Sequence, residues 1–176
     1  NIITSILIMI FYIFLHDHQL ENTFLIVLIF LISVFLFFNF RFINFFNKIY
    51  LGDAGSNMFG YILAWLIIYF SSPEINLFPS ALAIWVISYP MFDMLSIIIK
   101  RVSAKKNPMK KDFNHNHHKL MSLGFSIFQV NFIIIIISIG LAIFGYFIFT
   151  YLGALYSIIS YLISFLIYFY FFYKYI

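Results

Sequence analysis

An all-α, polytopic transmembrane helix bundle is the fold this sequence predicts, and three observations point to it. Mean hydropathy is +1.03, and 64% of the 176 residues are hydrophobic against 9% charged, whereas soluble domains carry roughly a quarter charged residues. The apolar residues form continuous runs without the in/out alternation of barrel strands, so helices are indicated. The cations gather in alternate connections, as the positive-inside rule requires of a multi-pass chain. The sequence has no cysteine, which excludes disulfides, thiolate metal sites and thiol catalysis. The 26 Phe and 13 Tyr read as lipid-facing and packing residues.

Six apolar stretches follow one another: 2–15, 23–38, 57–70, 77–99, 128–151 and 154–173. A spanning helix needs about 20 residues. The first stretch is too short, since at about 1.5 Å per residue it cannot cross a core of about 30 Å. With Asn1 in place of Met, the chain is expected to begin in the middle of a helix, with an upstream part missing. A basic leader and cleavage site of a signal peptide are lacking. The second stretch can recruit Asn39 and Phe40, and the third can extend to Ser72. The fourth contains Pro90, which removes one helical hydrogen bond and is expected to kink the helix there. Ser126-Ile127-Phe128-Gln129 fits a capping box that opens the fifth, with Gly124 allowing a sharp turn before it. A tight turn around Gly153 leads to the sixth. About six membrane helices, the first truncated, therefore form one domain over residues 1–176, without internal repeats.

Charge orients this bundle. Arg41, Lys48, Lys174 and seven cations between Lys100 and Lys119 account for all 10 Lys and Arg, and alternating loops put them on one side. The opposite connections hold Asp17, Glu21 and Glu74 and no cation. The basic side, and the C-terminus with it, is expected in the cytoplasm. A basic balance distributed this way speaks for a lipid bilayer and not for nucleic acid.

Three polar features interrupt the membrane sequence. Leu51-Gly52-Asp53-Ala54-Gly55-Ser56 places a carboxylate between two glycines at the mouth of a helix beginning near Asn57. Glycines let backbone approach a phosphate closely, and Ser56 or Asn57 can cap the helix. Its N-terminus suits a diphosphate, while Asp53 offers the hard oxygen that Mg²⁺ prefers. A plain glycine turn would look the same. Asp93 lies inside the fourth stretch, three residues after Pro90. An ionisable group there is expected to face the bundle interior or a polar cavity; pairing with an interfacial cation is the structural alternative. The third feature is the loop 100–127, with Asp112 followed by Asn114-His115-Asn116-His117-His118-Lys119. Clustered cations and imidazoles could bind a nucleotide diphosphate. The same residues could equally enforce topology, remain solvated, or take a transition metal.

In order and approximate spacing, these motifs together resemble the polyprenyl-phosphate N-acetylhexosamine-1-phosphate transferases. The resemblance implies that the chain is the C-terminal half of an enzyme of the bacterial inner membrane. Such an enzyme moves a sugar 1-phosphate from a UDP-N-acetylhexosamine to undecaprenyl phosphate, releasing UMP, with Mg²⁺ or alternatively Mn²⁺. It further implies a catalytic, metal-binding role for Asp53 and catalytic, nucleotide-sugar roles for His115, His117 and His118. Gly52, Gly55, Ser56, Asp93, Arg101 and Asp112 would contact substrate, and a homodimer is a further expectation. The family's upstream Asp-Asp pair and Asn/Asp-Gly segment do not occur in this sequence, so this stretch is not expected to act alone. The related branch that transfers phospho-N-acetylmuramoyl-pentapeptide has three consecutive histidines followed by Phe-Glu. His-Asn-His-His-Lys here favours a UDP-N-acetylglucosamine-type donor. Two other classes compete: a non-catalytic membrane scaffold of the same fold, and a metal or anion transporter. A transporter would line its midplane with polar residues, whereas here they gather at one end.

Overall fold

The computed structural model describes residues 2–16, 23–39, 52–108 and 116–174. They form eight helices and, among the described residues, no strand: α1 (Ile2–His16), α2 (Thr23–Asn39), α3 (Gly52–Phe70), α4 (Ser80–Val86), α5 (Ser88–Ser103), α6 (Asn116–Ser122), α7 (Ile127–Leu152) and α8 (Ala154–Lys174). The all-α membrane bundle expected from hydropathy is what the chain adopts. Two of the helices, α7 and α8, are long and apolar enough to cross a membrane, and α4 with α5 makes a third if the bent pair is one span. The apolar helices α1 and α2 are shorter than a full span. In α3 the polar Gly-Asp-Ala-Gly-Ser-Asn run occupies the opening turns.

The chain divides into two compact units. In the first, α1 packs against α2 and α3. Ile6, Met9, Ile13, Leu25, Ile32 and Leu66 are fully buried there, and in a bilayer it is their close packing, not removal from water, that holds the helices together. The turn after α3 closes when the N–H groups of Leu77 and Phe78 both donate to the Phe70 carbonyl, at 3.0 and 2.9 Å. Phe78 then meets Tyr12 edge-on at 5.0 Å.

The second unit is α4 to α8. Its fourth apolar stretch is not one helix. It breaks at Ile87, where α4 and α5 diverge by 67°, three residues before the proline at which the kink was expected. The displacement has a physical cause. Pro90 cannot donate to the carbonyl four residues back, that of Val86, and its ring crowds that carbonyl. The chain therefore yields between Val86 and Ser88, and the Ser88 hydroxyl donates to the Trp85 carbonyl at 2.7 Å.

Trp85 ties three helices together. Its indole N–H donates to the Ser157 hydroxyl of α8 at 2.8 Å, with both residues fully buried. Its ring meets Phe144 of α7 and Tyr161 of α8 edge-on, at 5.5 and 5.4 Å. Ser157→Ala strands the buried indole donor, so it is expected to cost about 1–3 kcal/mol, measurable as a lower thermal midpoint in detergent.

The capping box of α7 forms as its sequence predicts. Ser126 accepts from the Gln129 N–H at 3.3 Å, and the Gln129 side chain accepts from the Ser126 N–H at 2.9 Å. Gly124 and Gly153 both take positive φ, +93° and +86°, a region L side chains rarely enter. Those two turns set the bounds of α7.

Candidate functional site

Asp53 belongs to the first unit. The helix bearing it starts at Gly52, not near Asn57, so Asp53, Gly55 and Ser56 sit inside its first turns and Ser56 is not the cap. Gly52 has φ +66°, which allows the chain to enter the helix from a left-handed residue. The early start has a cause: an acidic side chain in the first turn faces the positive end of the helix dipole. Ser56 donates its hydroxyl to the Asp53 carbonyl at 2.9 Å, closing the turn from within. The Asp53 carboxylate is exposed. Mg²⁺ commonly keeps several waters and takes only one or two protein carboxylates beside substrate phosphates, and one exposed carboxylate on a helix N-terminus fits that use. No group of three or more metal-ligating side chains occurs among the described residues.

The second unit brings Asp93 to the histidine segment. Along α5, Tyr89, Asp93, Ser96 and Lys100 recur at the spacing of one helix face. The first three are buried, and they form a polar stripe on an apolar helix. Asp93, 7% exposed, accepts from the backbone N–H of Asn116 at 3.1 Å. Asn116 opens α6, a short helix within the segment read as a loop. The Asn116 side-chain amide donates to the Tyr168 hydroxyl of α8, and Tyr168 is hydrogen-bonded to Tyr89. Asp93 thus faces the bundle interior, as an ionisable group in a membrane helix must. Around this polar centre pack Phe92, Leu120, Val130 and Ile134.

The remaining candidates are placed as follows. His117 lies on α6 and is half-buried, and His118 is on the same helix. His115 and Asp112 lie outside the described residues. Lys100 has Lys119 and Asp93 as charged neighbours, so α5 and α6 together present a basic edge. Arg101 turns its guanidinium to the loop after α5, donating from Nε to the Asn107 carbonyl at 2.8 Å. Sequence reasoning missed Asn116 and Tyr168. Asn116 stood in plain view between two motif histidines and was given no contact of its own. Tyr168 carried no signal among 13 tyrosines.

Comparison with known proteins adds a separate line. Over 79 residues, 45% of this chain and 22% of the relative, it is 32% identical to the undecaprenyl-phosphate alpha-N-acetylglucosaminyl 1-phosphate transferase of Salmonella typhi. The protein of the same name from Haemophilus influenzae is 31% identical over 91 residues, 52% of this chain and 26% of the relative. That from Yersinia pestis is 30% identical over 98 residues, 56% and 27%. The matched stretch thus spans about half of this chain and about a quarter of each relative. These similarities bear out the resemblance drawn from the motifs. No family model and no solved structure matches the chain.

Proposed function

We propose that this chain is part of a membrane enzyme that transfers N-acetylglucosamine-1-phosphate from UDP-N-acetylglucosamine to undecaprenyl phosphate, releasing UMP. The observation that carries the proposal is the convergence of Asp93, the histidine helix and the Lys100–Lys119 edge at one end of a membrane unit. The names of the curated relatives support the same acceptor and the same sugar phosphate. In the reaction, an oxygen of the lipid phosphate bonds to the sugar-bearing phosphorus. The bond from that phosphorus to the bridging oxygen breaks, and its electron pair leaves with UMP.

Both partners are anions, so catalysis of this kind is mostly positioning and neutralisation of charge. Lys100, Lys119 and the imidazole of His117 supply positive and hydrogen-bonding groups for the donor. Asp53, which belongs to the other unit, would hold Mg²⁺, a cation that supplies neutralisation of phosphate charge; Mn²⁺ has the same ligand preferences. By the positive-inside rule, the basic loop that carries Lys100 and Lys119 supports a donor site on the cytoplasmic side of a bacterial inner membrane, where nucleotide sugars are found.

The test uses membranes carrying the full-length protein, supplied with undecaprenyl phosphate, Mg²⁺ and UDP-N-acetylglucosamine labelled in the sugar. Labelled lipid and an equal amount of UMP are expected. Transfer from another UDP-sugar alone would overturn the donor assignment. No lipid product with any UDP-sugar would favour a scaffold of the same fold.

A further inference from the structure

We propose that Asn116 and Tyr168 are positioning residues which, with Asp93, clamp α6 against α5 and α8 so that its basic edge meets the donor diphosphate. The use made of that edge rests on the function proposed above, while the clamp stands on geometry. A helix of seven residues is too short to persist unaided, so its conformation must come from tertiary bonds. Its first residue receives two. The Asn116 N–H goes to Asp93 of α5 at 3.1 Å, and its side-chain amide goes to Tyr168 of α8.

One such bond would leave a hinge. Two bonds to different helices fix both the position of α6 and its rotation about its own axis. Leu120, one turn on, is buried in the same core, which makes the Asn116–Leu120 face the inward one. His117 and Lys119 then flank that face, each half-buried, with Lys119 beside Lys100. Asparagine suits the position chemically. Aspartate would add a second carboxylate beside Asp93, and the serine side chain is too short to reach Tyr168. The Tyr168 oxygen accepts from the amide, which leaves its own proton for Tyr89, so the buried chain stays satisfied. Asn116 is 3% exposed and Tyr168 9%, too enclosed to touch a ligand themselves.

The test is made in membranes carrying the full-length protein with Asn116→Ala, Tyr168→Phe or both. Each single change is expected to raise the donor KM about tenfold with kcat altered less than about threefold, and the double variant to add little to Tyr168→Phe, since both remove the Asn116–Tyr168 bond. Ser157→Ala, in the same unit, is the structural comparison: less folded protein and an unchanged KM. In parallel, the rate at which diethyl pyrocarbonate modifies His117 is followed by mass spectrometry, which requires no transfer activity. That rate is expected to rise several-fold in both single variants. An unchanged labelling rate, or a donor KM that stays at the parent value, overturns the proposal. A parent protein without transfer activity overturns the function proposed above instead, and the labelling rates then decide the clamp.

Discussion

Replacing Asp53 by asparagine in the full-length protein is expected to lower sugar-phosphate transfer by at least about 100-fold, the scale of losing one preorganised electrostatic contact at a reacting phosphate. The amount of protein in the membrane should stay nearly constant. Asp53 is exposed in the first turn of α3, so folding loses only its interaction with the helix dipole, about 0.3–1 kcal/mol. The amide keeps the shape of the carboxylate and removes the charge that would hold Mg²⁺. The measurement is initial transfer rate against Mg²⁺ concentration, beside the quantity of protein extracted in folded form. Chelation of divalent ions should silence the parent, and Mn²⁺ should restore it. A variant with parental activity would remove Asp53 from the site.

Gly145→Ala is expected to do the opposite, harming the fold before the chemistry. A Cβ built on Gly145 would stand 2.1 Å from Cγ and 2.3 Å from Cδ2 of Trp85. Those atoms belong to the body of a fully buried indole, not to the free end of a flexible chain. The ring is held by its bond to Ser157 and by edge contacts with Phe144 and Tyr161, so it cannot swing aside. Either α7 retreats from α4 or the indole leaves its rotamer. Overpacking of this kind costs about 1–3 kcal/mol, or somewhat more when the neighbours are rigid. The thermal midpoint in detergent should fall by several degrees. In a Trp85→Ala background, which removes the ring atoms that the new Cβ would meet, the same Gly145→Ala change should cost little; an undiminished loss there would place the strain elsewhere.

How much could be read beforehand depended on the distance over which each feature is decided. The capping box at Ser126 and the turn at Gly153 are local, written in four residues or one, and the ends of α7 came out nearly as the sequence implies. The broken fourth stretch was half legible. Pro90 announced a break, but the strain falls on the carbonyl four residues earlier, and the bend moved there. Gly-Asp-Ala-Gly was read as loop because of its glycines, yet the aspartate's interaction with the helix dipole lets α3 begin at Gly52.

Least legible was the polar centre. Asp93 was recognisable as a costly residue that must find partners, but nothing in the chain names them. Asn116 lies 23 residues away and Tyr168 a further 52, and only the packing of α5, α6 and α8 makes them neighbours. The Trp85–Ser157 bond, across 72 residues, was invisible for the same reason.

The bend at Ile87 makes the thickness of the surrounding lipid a variable of this unit. With 16 residues in α5 and 7 in α4, the arms measure about 24 and 10 Å at 1.5 Å per residue. Separated by 67°, they cannot both stand along the bilayer normal. With α5 upright the pair reaches about 28 Å, and with α4 upright only about 20 Å, against a hydrocarbon core of about 30 Å. Because α4 and α5 both pack on α7 and α8, the unit tilts as a whole: longer acyl chains favour the tilt that keeps α5 upright, and shorter ones the tilt that lays it down. Because Asp93 and Lys100 travel with α5, acyl-chain length sets the depth at which the polar stripe meets the interface.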